Sequence, residues 1–305
     1  MKFLKVIINK WFNKDKILEF LWSIIRGILV IGICFVILYP ILSKISYAFM
    51  SEIDLYDKSV HYVPKHFTLD NIIGAWKMMN YPNAFLTSFA FSSINAIFQT
   101  FSCTIIAYGF ARFNFKFKGI FFAMVITTMV IPPQTILIPL YVNFRGMHLI
   151  NSIVPFLLLS LTGTALKNGL YIFIMRQFFI GLPKELDEAA LVDGCGSFKT
   201  LFRIMLPNSI PMMVTIFLFS FVWQWSDIFY TGMLAPEMGV MPQVLNAMIA
   251  NAQMTMESSI GTSSLIYRLL INSTASILAV VPPLLIFLGG QKYFVEGIER
   301  SGIVG

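Results

Sequence analysis

Residues 185–207 read ELDEAALVDGCGSFKTLFRIMLP and form a charged, helix-prone segment between two long apolar runs. The residues that open it are acidic, which suits the positive N-terminal end of a helix: Glu185, Asp187 and Glu188. Gly194 is suited to a left-handed helix stop, and Ser197 can cap a second short helix through Arg203. The segment therefore predicts a helix, a tight turn and a second helix.

One face of the first predicted helix carries small side chains. The residues that fall on it at helical spacing are Leu186, Ala189, Ala190 and Asp193. Their methyl groups would let another surface approach closely, which favours a docking surface for a partner. The residues alone leave an alternative open, an amphipathic loop that lies at the membrane surface and joins two spans.

The composition places the chain in a membrane. Of 305 residues, 57% are hydrophobic and 12% are charged, and the mean hydropathy is +0.76, values outside the range of soluble domains. The net charge of +7 does not gather in one aromatic-laced patch, which argues against nucleic acid as a partner. The three cysteines, Cys34, Cys103 and Cys195, are widely spaced and predict neither a disulfide framework nor a metal site.

Six stretches are apolar and long enough, at about 20 residues, to cross a bilayer. They lie at about 25–48, 84–111, 119–144, 151–179, 204–230 and 269–292. The fourth contains Gly163 and the run Lys167-Asn168-Gly169, so we expect it to be kinked or partly unwound where it faces protein or water. Pro132-Pro133 and Pro282-Pro283 are expected to kink the third and the sixth. The predicted fold class is all-α, a polytopic membrane protein with six transmembrane helices in a single domain over residues 1–305.

The basic residues orient the chain, because cytoplasmic loops carry an excess of Lys and Arg. With the N-terminus inside, fifteen of the 22 basic residues fall in inner segments and six in outer loops, while Lys167 lies within a span. Both termini and residues 185–203 are therefore expected in the cytoplasm. In the outer loop of residues 50–83 we expect a helix over Asn71–Met79 with Asp70 as its cap. The outer segment 234–267 is expected to form a re-entrant or surface element.

The 185–207 segment also carries a long and specific pattern. Glu188-Ala189-Ala190, three residues, Gly194, nine residues, Ile204, one residue and Leu206-Pro207 resemble the signature loop of binding-protein-dependent ABC transporter permeases. The resemblance covers nearly the whole chain and is closest to the sugar-transporting permeases of the maltose type. Four further stretches carry it: residues 107–113, AYGFARF; 132–141, PPQTILIPLY; 176–179, RQFF; and 291–297, QKYFVEG. The chain departs from the family pattern in three places: Thr87-Ser88, Trp225-Ser226-Asp227 and the last residues, 301–305.

The resemblance implies a type I ABC importer permease fold, with a cytoplasmic coupling loop over residues 180–207 that inserts into a cleft on a separate ATPase. By resemblance, the residues of this contact are Glu185, Glu188, Ala189, Ala190, Asp193, Gly194, Ile204, Leu206 and Pro207. The implied partners are a cytoplasmic ATPase dimer, a second permease subunit that is usually a different chain, an extracytoplasmic sugar-binding protein and membrane lipid. The implied location is the inner or plasma membrane of a bacterial cell, crossed several times.

The sequence has no phosphate-binding loop. The nearest match to G-x-x-x-x-G-K-[ST] ends in Lys199-Thr200 but has Asp193 and Phe198 in place of the two glycines. We therefore expect no catalytic residue and no cofactor on this chain. The resemblance implies that the partner ATPase binds ATP and Mg.

Polar groups within the predicted spans are candidates for the substrate path: Asn95, Gln99, Gln134, Lys167, Asn168, Gln224 and Asn272. Each has a second interpretation, a hydrogen bond to a neighbouring helix. Lys167 is either a functional group within the membrane or a side chain that reaches an outer, water-filled vestibule. The run Trp223–Asp227, WQWSD, suggests a sugar site because aromatic and polar groups alternate. Anchoring at the membrane interface explains its tryptophans equally well.

Two other classes of function are alternatives. An ion-coupled secondary carrier or channel for a polar solute would normally show buried carboxylates or inverted repeats, whereas the acidic residues here lie nearly all in loops. A membrane enzyme would need metal ligands or a nucleophile with its base. The three histidines, His61, His66 and His148, lie in outer loops without such spacing.

Overall fold

The computed structural model describes residues 14–258 and 262–300, with side chains at 18–250 and 267–297. Regular secondary structure in these segments is helical, and the extended pairing among them is one isolated antiparallel bridge between Met50 and Phe67. The expected all-α class is confirmed for the described part of the chain.

The helices, numbered in chain order, are α1 (Lys14–Phe49), α2 (Glu52–Tyr56), α3 (Asp70–Met78), α4 (Tyr81–Arg112), α5 (Lys118–Val130), α6 (Pro133–Gly146), α7 (Val154–Leu161), α8 (Asn168–Gly181), α9 (Glu185–Val192), α10 (Ser197–Thr200), α11 (Leu206–Asn208), α12 (Ile210–Trp225), α13 (Phe229–Leu234), α14 (Met241–Ser258) and α15 (Thr262–Arg300). A π-helical turn, Leu201–Met205, connects α10 to α11. The contacts divide the chain into two compact units, one within residues 1–74 and 261–277 and the other within residues 75–260 and 278–305.

The first unit is built on α1, a helix with apolar side chains on all sides. Its stretch Leu18–Phe49 is long and apolar enough to cross a membrane, and none of its most apolar window is buried in the protein. An exposed helix of this kind is suited to contact with lipid or with another membrane chain.

The loop after α1 is closed by polar side chains. Asn71 Nδ2 donates hydrogen bonds to backbone carbonyls at the end of α1, the shortest being 2.8 Å to Met50. The expected helix is present as α3, but the predicted cap is wrong, because Asp70 is the first residue of the helix. Thr68 Oγ1 accepts a hydrogen bond from the Asp70 N–H and donates one to Asp70 Oδ2, which turns that carboxylate towards Thr68.

The second unit is organised around α4, against which α8 and α12 pack. Small residues are buried along α4: Ser92, Ala96, Cys103 and Ala107. Small side chains let neighbouring helix backbones approach closely. One apolar core surrounds Tyr171 and Met212, towards the end of α4, and a second surrounds Phe156 and Tyr230, towards its start.

The described helices provide fewer spans than the six predicted. Three single helices are long and apolar enough to cross a membrane: Leu18–Phe49, Tyr81–Arg112 and Tyr267–Gly297. Two bent pairs, 118–130 with 133–146 and 197–208 with 210–225, raise the number to five if each pair is one span. The predicted span 151–179 is divided into α7 and α8, with 8 and 14 residues.

The expected irregularities follow from backbone chemistry. The third predicted span bends by 102° between α5 and α6, where Pro132 and Pro133 lie, so that kink is confirmed. The break between α7 and α8 is also confirmed, since Gly163 and Lys167 take left-handed φ angles of 71° and 66°. α15, by contrast, runs without interruption through Pro282-Pro283.

The fifth predicted span contains a bend near its start. Residues 204–208 belong to the π-helical turn and to α11, and the chain bends by 76° before α12 begins at Ile210. Pro211 lies in the first turn of α12. Because proline has no N–H to donate to a preceding turn, it is suited to the start of a new helix. Residue 204, the predicted start of this span, lies in the shorter part of the bent pair 197–208 with 210–225.

Candidate functional site

The helical loop of residues 185–208 has the predicted two-part form. α9 begins after Lys184, with its acidic residues in the first turn. Gly194 follows α9 at φ +70°, and the N–H of Cys195 donates to the Ala190 carbonyl at 2.8 Å. These contacts satisfy carbonyls at the C-terminal end of α9, so the left-handed stop is confirmed.

The second part differs from the prediction in two respects. Gly196 holds the cap position before α10, and Ser197 is the first helical residue without a capping hydrogen bond from its side chain, so the predicted cap is wrong. Helical structure also continues past Arg203 through the π-helical turn to Asn208. Ile204 and Leu206 are partly buried in this continuation, and Pro207 is exposed.

The 185–208 loop has a face that packs on the protein and a face that is open. Ala190 is buried, and Leu186 packs against the core that surrounds Tyr171. The coupling residues that remain exposed are Glu185, Glu188, Ala189, Asp193, Gly194 and Pro207. The open face therefore begins with carboxylates and small residues, while the Leu186–Ala190 side is used within the chain.

Sequence reasoning missed the apolar part of the open face. Four large apolar side chains are exposed on the loop: Leu191, Val192, Phe198 and Phe202. Phe198 is 80% exposed. The signal in the sequence is weak but present, because Leu191 and Val192 lie off the helix face that Leu186 and Ala190 define.

An arginine at the end of α4 holds the loop. Arg112 Nη2 donates to the Leu182 carbonyl at 3.1 Å, and Arg112 Nε lies 3.1 Å from Asp187 Oδ2. The second contact is an ion pair by distance and lacks the angle of a hydrogen bond. Both partners are largely buried. The 107–113 motif thus contributes an anchor for α9, a role that sequence reasoning did not assign to Arg112 or Asp187.

Three candidate path residues meet in a buried polar cluster. Gln99 Nε2 donates to the Leu166 carbonyl at 2.6 Å and to Asn168 Oδ1, while Gln99 Oε1 accepts from the Ser220 hydroxyl. Asn95 Nδ2 donates to the Phe91 carbonyl at 2.8 Å. These amides bond within the protein, and Gln99 links α4, the α7–α8 break and α12.

The cavity next to this cluster is too small for a sugar. It lies at the α7–α8 break, where Ser160, Leu166 and Gln224 form part of its wall, and it has a volume of about 10 Å³. A volume of that size is about the minimum for one water molecule.

The tryptophan-containing run separates into internal and open positions. Trp225 is buried, and its Nε1–H donates to the Ala279 carbonyl at 3.0 Å. The Asp227 carboxylate accepts the N–H groups of Tyr230 and Thr231 and so caps α13. Trp223 is 45% exposed, and the Lys167 ammonium nitrogen lies 4.6 Å from its ring centroid. Gln224 is partly buried beside it.

Two further candidates are not part of this cluster's hydrogen bonds. Gln134 is exposed at the α5–α6 bend, and Asn272 belongs to the first compact unit. In the outer loop, Asp54 Oδ1 lies 2.6 Å from His66 Nδ1, and the described residues contain no group of three or more potential metal ligands.

The long apolar helices and the exposed helical loop are those of a membrane-embedded protein. The chain belongs to the family of binding-protein-dependent transport system inner membrane components, whose sequence pattern matches residues 100–300. It is a permease subunit of the ABC transporter class.

The chain is similar to several relatives over most of their length. The probable ABC transporter permease YurM of Bacillus subtilis is 29% identical over 269 residues, with 88% of this chain and 84% of YurM covered. The probable ABC transporter permease PH1036 of Pyrococcus horikoshii is 30% identical over 242 residues, covering 78% and 82%. The melibiose/raffinose/stachyose import permease MelC of Bacillus subtilis is 29% identical over 245 residues, covering 79% and 83%.

A solved structure shares the fold. The crystal structure of a bacterial ABC transporter involved in the import of the acidic polysaccharide alginate contains a chain with a TM-score of 0.70 and 20% identity. The match covers 90% of this chain and 97% of that chain.

Proposed function

We propose that this chain passes a sugar or oligosaccharide from an extracytoplasmic binding protein into the cytoplasm, coupled to a separate ATPase through residues 185–207. The observation that carries the coupling role is the open face of the 185–208 loop, where exposed apolar side chains adjoin Glu185 and Glu188. The sugar class is supported by relatives such as MelC, which is named for the import of melibiose, raffinose and stachyose.

The open face is suited to a protein partner. A cluster of exposed apolar side chains bordered by carboxylates has the character of an interaction surface. Glu188 would pair with a basic residue of the ATPase, since a charge-assisted contact at a helix N-terminus is both directional and strong. Gly194 would set the angle between the two short helices in the ATPase cleft.

A mechanical route leads from the docking surface into the membrane. Arg112 joins α9 to the end of α4, and Gln99 on the same helix joins the α7–α8 break and Ser220. Displacement of α9 by ATP-driven closure would therefore be transmitted along α4 to the helices around the break. In this scheme ATP and Mg bind to the ATPase dimer, and this chain transmits the movement of α9 to its membrane helices.

The remaining organisation follows the importer scheme. A second permease subunit would complete the path, six spans would place both termini in the cytoplasm, and the chain would lie in the cell membrane of a bacterium. The alternative of an ion-coupled carrier gains nothing from the described carboxylates with the lowest exposure, since Asp54 faces His66 and Asp227 caps α13.

Affinity purification from the native membrane tests the coupling role. The chain should retain an ATPase, a second permease and a binding protein that binds saccharides. The Phe198→Asp variant should co-purify with little ATPase but with a normal amount of the second permease. The reason is that it places a carboxylate in the apolar part of the open face of the 185–208 loop. Val63→Asp is the matched control, since Val63 is 79% exposed but lies in the outer loop. Retention of a normal amount of ATPase by Phe198→Asp, or the absence of any ATPase from the wild-type preparation, would contradict the proposal.

A further inference from the structure

The α7–α8 break brings together Lys167 and Trp223, which are far apart in sequence. The Lys167 ammonium nitrogen lies 4.6 Å from the centroid of the Trp223 ring. We propose that this pair forms a binding station for an anionic group, a carboxylate or a phosphate, on the saccharide that crosses the membrane. Resting on the import function proposed above, this assignment narrows the substrate to saccharides that carry an acidic group.

The depth of Lys167 determines what its ammonium faces. The residue lies near the middle of the apolar stretch 151–179, where an ammonium exposed to hydrocarbon is costly. Its backbone is left-handed and its side chain is half-buried. The open side of the Lys167–Trp223 pair therefore faces water or another protein chain, and a water-filled path through the membrane satisfies that requirement.

The charge of Lys167 is positioned but not neutralised. Among the described residues Lys167 forms no ion pair. The nearby acidic residue of the tryptophan-containing run, Asp227, directs its carboxylate to the backbone of α13. A cation–π contact orients an ammonium and leaves its net charge intact. The station therefore offers one fixed positive charge beside an exposed indole ring.

The N-terminal end of α8 adds to the positive electrostatic potential around Lys167. Lys167 occupies the cap position before a helix of 14 residues, at the positive end of the helix dipole. Within this end of α8, the Nδ2 group of buried Asn168 donates no hydrogen bond to a described residue. Both the Lys167 ammonium and the N-terminal end of α8 are positive, so they attract an anion and not a cation. A neutral sugar can accept a hydrogen bond from the ammonium but gains no attraction between opposite charges.

Transport by the complete importer in proteoliposomes tests the assignment. The probes are an oligosaccharide that contains a uronic acid, its carboxyl-reduced neutral counterpart and a hexose phosphate, each supplied with the binding protein. Lys167→Met should lower uptake of the acidic probe about tenfold or more, as expected for loss of one charge-assisted contact. Lys167→Met should leave uptake of the neutral counterpart unchanged. Lys167→Arg should restore uptake of the acidic probe. A response to the uronate and not to the phosphate, or the reverse, identifies which anion is used.

Controls separate this inference from the import function itself. Lys58→Met removes an exposed lysine from the outer loop and should leave all three probes unaffected. Two outcomes would overturn the anionic binding station while leaving sugar import in place. One is that Lys167→Met lowers uptake of the acidic and the neutral probe equally. The other is that the wild-type importer takes up the neutral probe alone. Failure of the wild-type importer to take up any saccharide would overturn the import function. A carbodiimide cross-link between Lys167 and the second permease would identify a protein carboxylate as the partner and would also overturn the station.

Discussion

Gly194 and Gly196 lie in one turn of the 185–208 loop, yet their backbones differ. Gly194 has φ +70°, whereas Gly196 has φ −72° and ψ 163°, which any residue adopts. Neither position has a heavy atom within 4 Å of an added Cβ. The two positions therefore differ in backbone conformation, whereas both have room for a side chain.

Gly194→Val is expected to disturb docking without preventing insertion into the membrane. A side chain in the left-handed region costs about 1–2 kcal/mol, which would misalign α9 and α10. The measurement is ATP hydrolysis stimulated by the sugar-loaded binding protein, with the amount of chain in the membrane determined alongside. Gly196→Val is the matched control and should behave like the wild type. Normal stimulation in a normally inserted Gly194→Val would count against the role of this turn.

Gln99 makes the buried hydrogen bonds that join three elements. Gln99→Leu should lower the free energy of unfolding by about 1–2 kcal/mol, because Asn168 and Ser220 lose their partner in a buried setting. Thermal unfolding in detergent measures the effect. Gln134→Leu is the control, since Gln134 is exposed in the same unit. Equal stability of the two variants would show that the polar cluster contributes nothing to the fold.

At the scale of elements, α4 joins α9 to the membrane helices through Arg112. Arg112→Gln and Asp187→Asn should each raise the ATP hydrolysed per sugar imported, since an ion pair of order 1 kcal/mol holds α9 to α4. The double variant should be no worse than Arg112→Gln alone, because both substitutions remove the same ion pair and Arg112→Gln already removes the contact with Leu182. Glu19→Gln is the control, since Glu19 is exposed on α1, outside the 185–208 loop. Additive losses in the double variant would contradict the anchor.

The outer loop is an element whose stability depends on pH. Burial raises the pKa of Asp54, but hydrogen bonds from His66 outweigh that effect, and its pKa is lowered overall. The Lys65 ammonium and the Ser59 hydroxyl and N–H hold the pKa of Asp57 well below its usual value. A carboxylate whose folded pKa is depressed stabilises the fold above the unfolded pKa, about 3.9, and that contribution is lost as the pH falls through the folded value.

Hydrogen exchange at individual amides checks this expectation. The His66 N–H donates to Asp54 at 2.9 Å and should lose protection below about pH 4, after correction for the intrinsic exchange rate. The Thr68 N–H donates to the Phe49 carbonyl at 3.0 Å and serves as the reference, because that acceptor does not titrate. Constant protection of His66 through the acid range would show that Asp54 does not hold the loop.

For the whole molecule, the membrane orientation is open to a direct test with a native cysteine. Cys195 is partly exposed in the 185–208 loop, which the importer scheme places in the cytoplasm. A membrane-impermeant maleimide should label Lys58→Cys in intact cells and should label Cys195 only after permeabilisation. Cys195→Ser gives the background from Cys34 and Cys103. Labelling of Cys195 from outside would reverse the orientation and remove the basis for ATPase docking.

The number of spans is also decided at this scale. The described part of the chain has three single helices that are long enough and two bent pairs, whereas residues 151–179 form two shorter helices. Hydropathy counts apolar length along the chain, so it does not register the left-handed break at Gly163 and Lys167 within this stretch. The interruption itself was readable from sequence, because glycine and an ionisable residue within an apolar run are local signals.

The sequence by itself determined the features that depend on local chemistry. The helical membrane class, the bend at Pro132-Pro133 and the turn at Gly194 follow from apolar length, from a missing N–H and from the freedom of glycine to adopt positive φ. The pattern of residues 185–207 and four further stretches carries the resemblance to the permease family. None of these features requires knowledge of which helices are neighbours.

Only the tertiary structure decided which side chains meet. Arg112 with Asp187, Gln99 with Ser220 and Lys167 with Trp223 each join residues from separate helices. Helices pack through burial of apolar surface, which is non-directional, so many pairings satisfy the same apolar pattern. The polar contacts that hold the 185–208 loop and position the Lys167 charge are specified only after the helices have packed, because each requires its partner within about 3 to 6 Å.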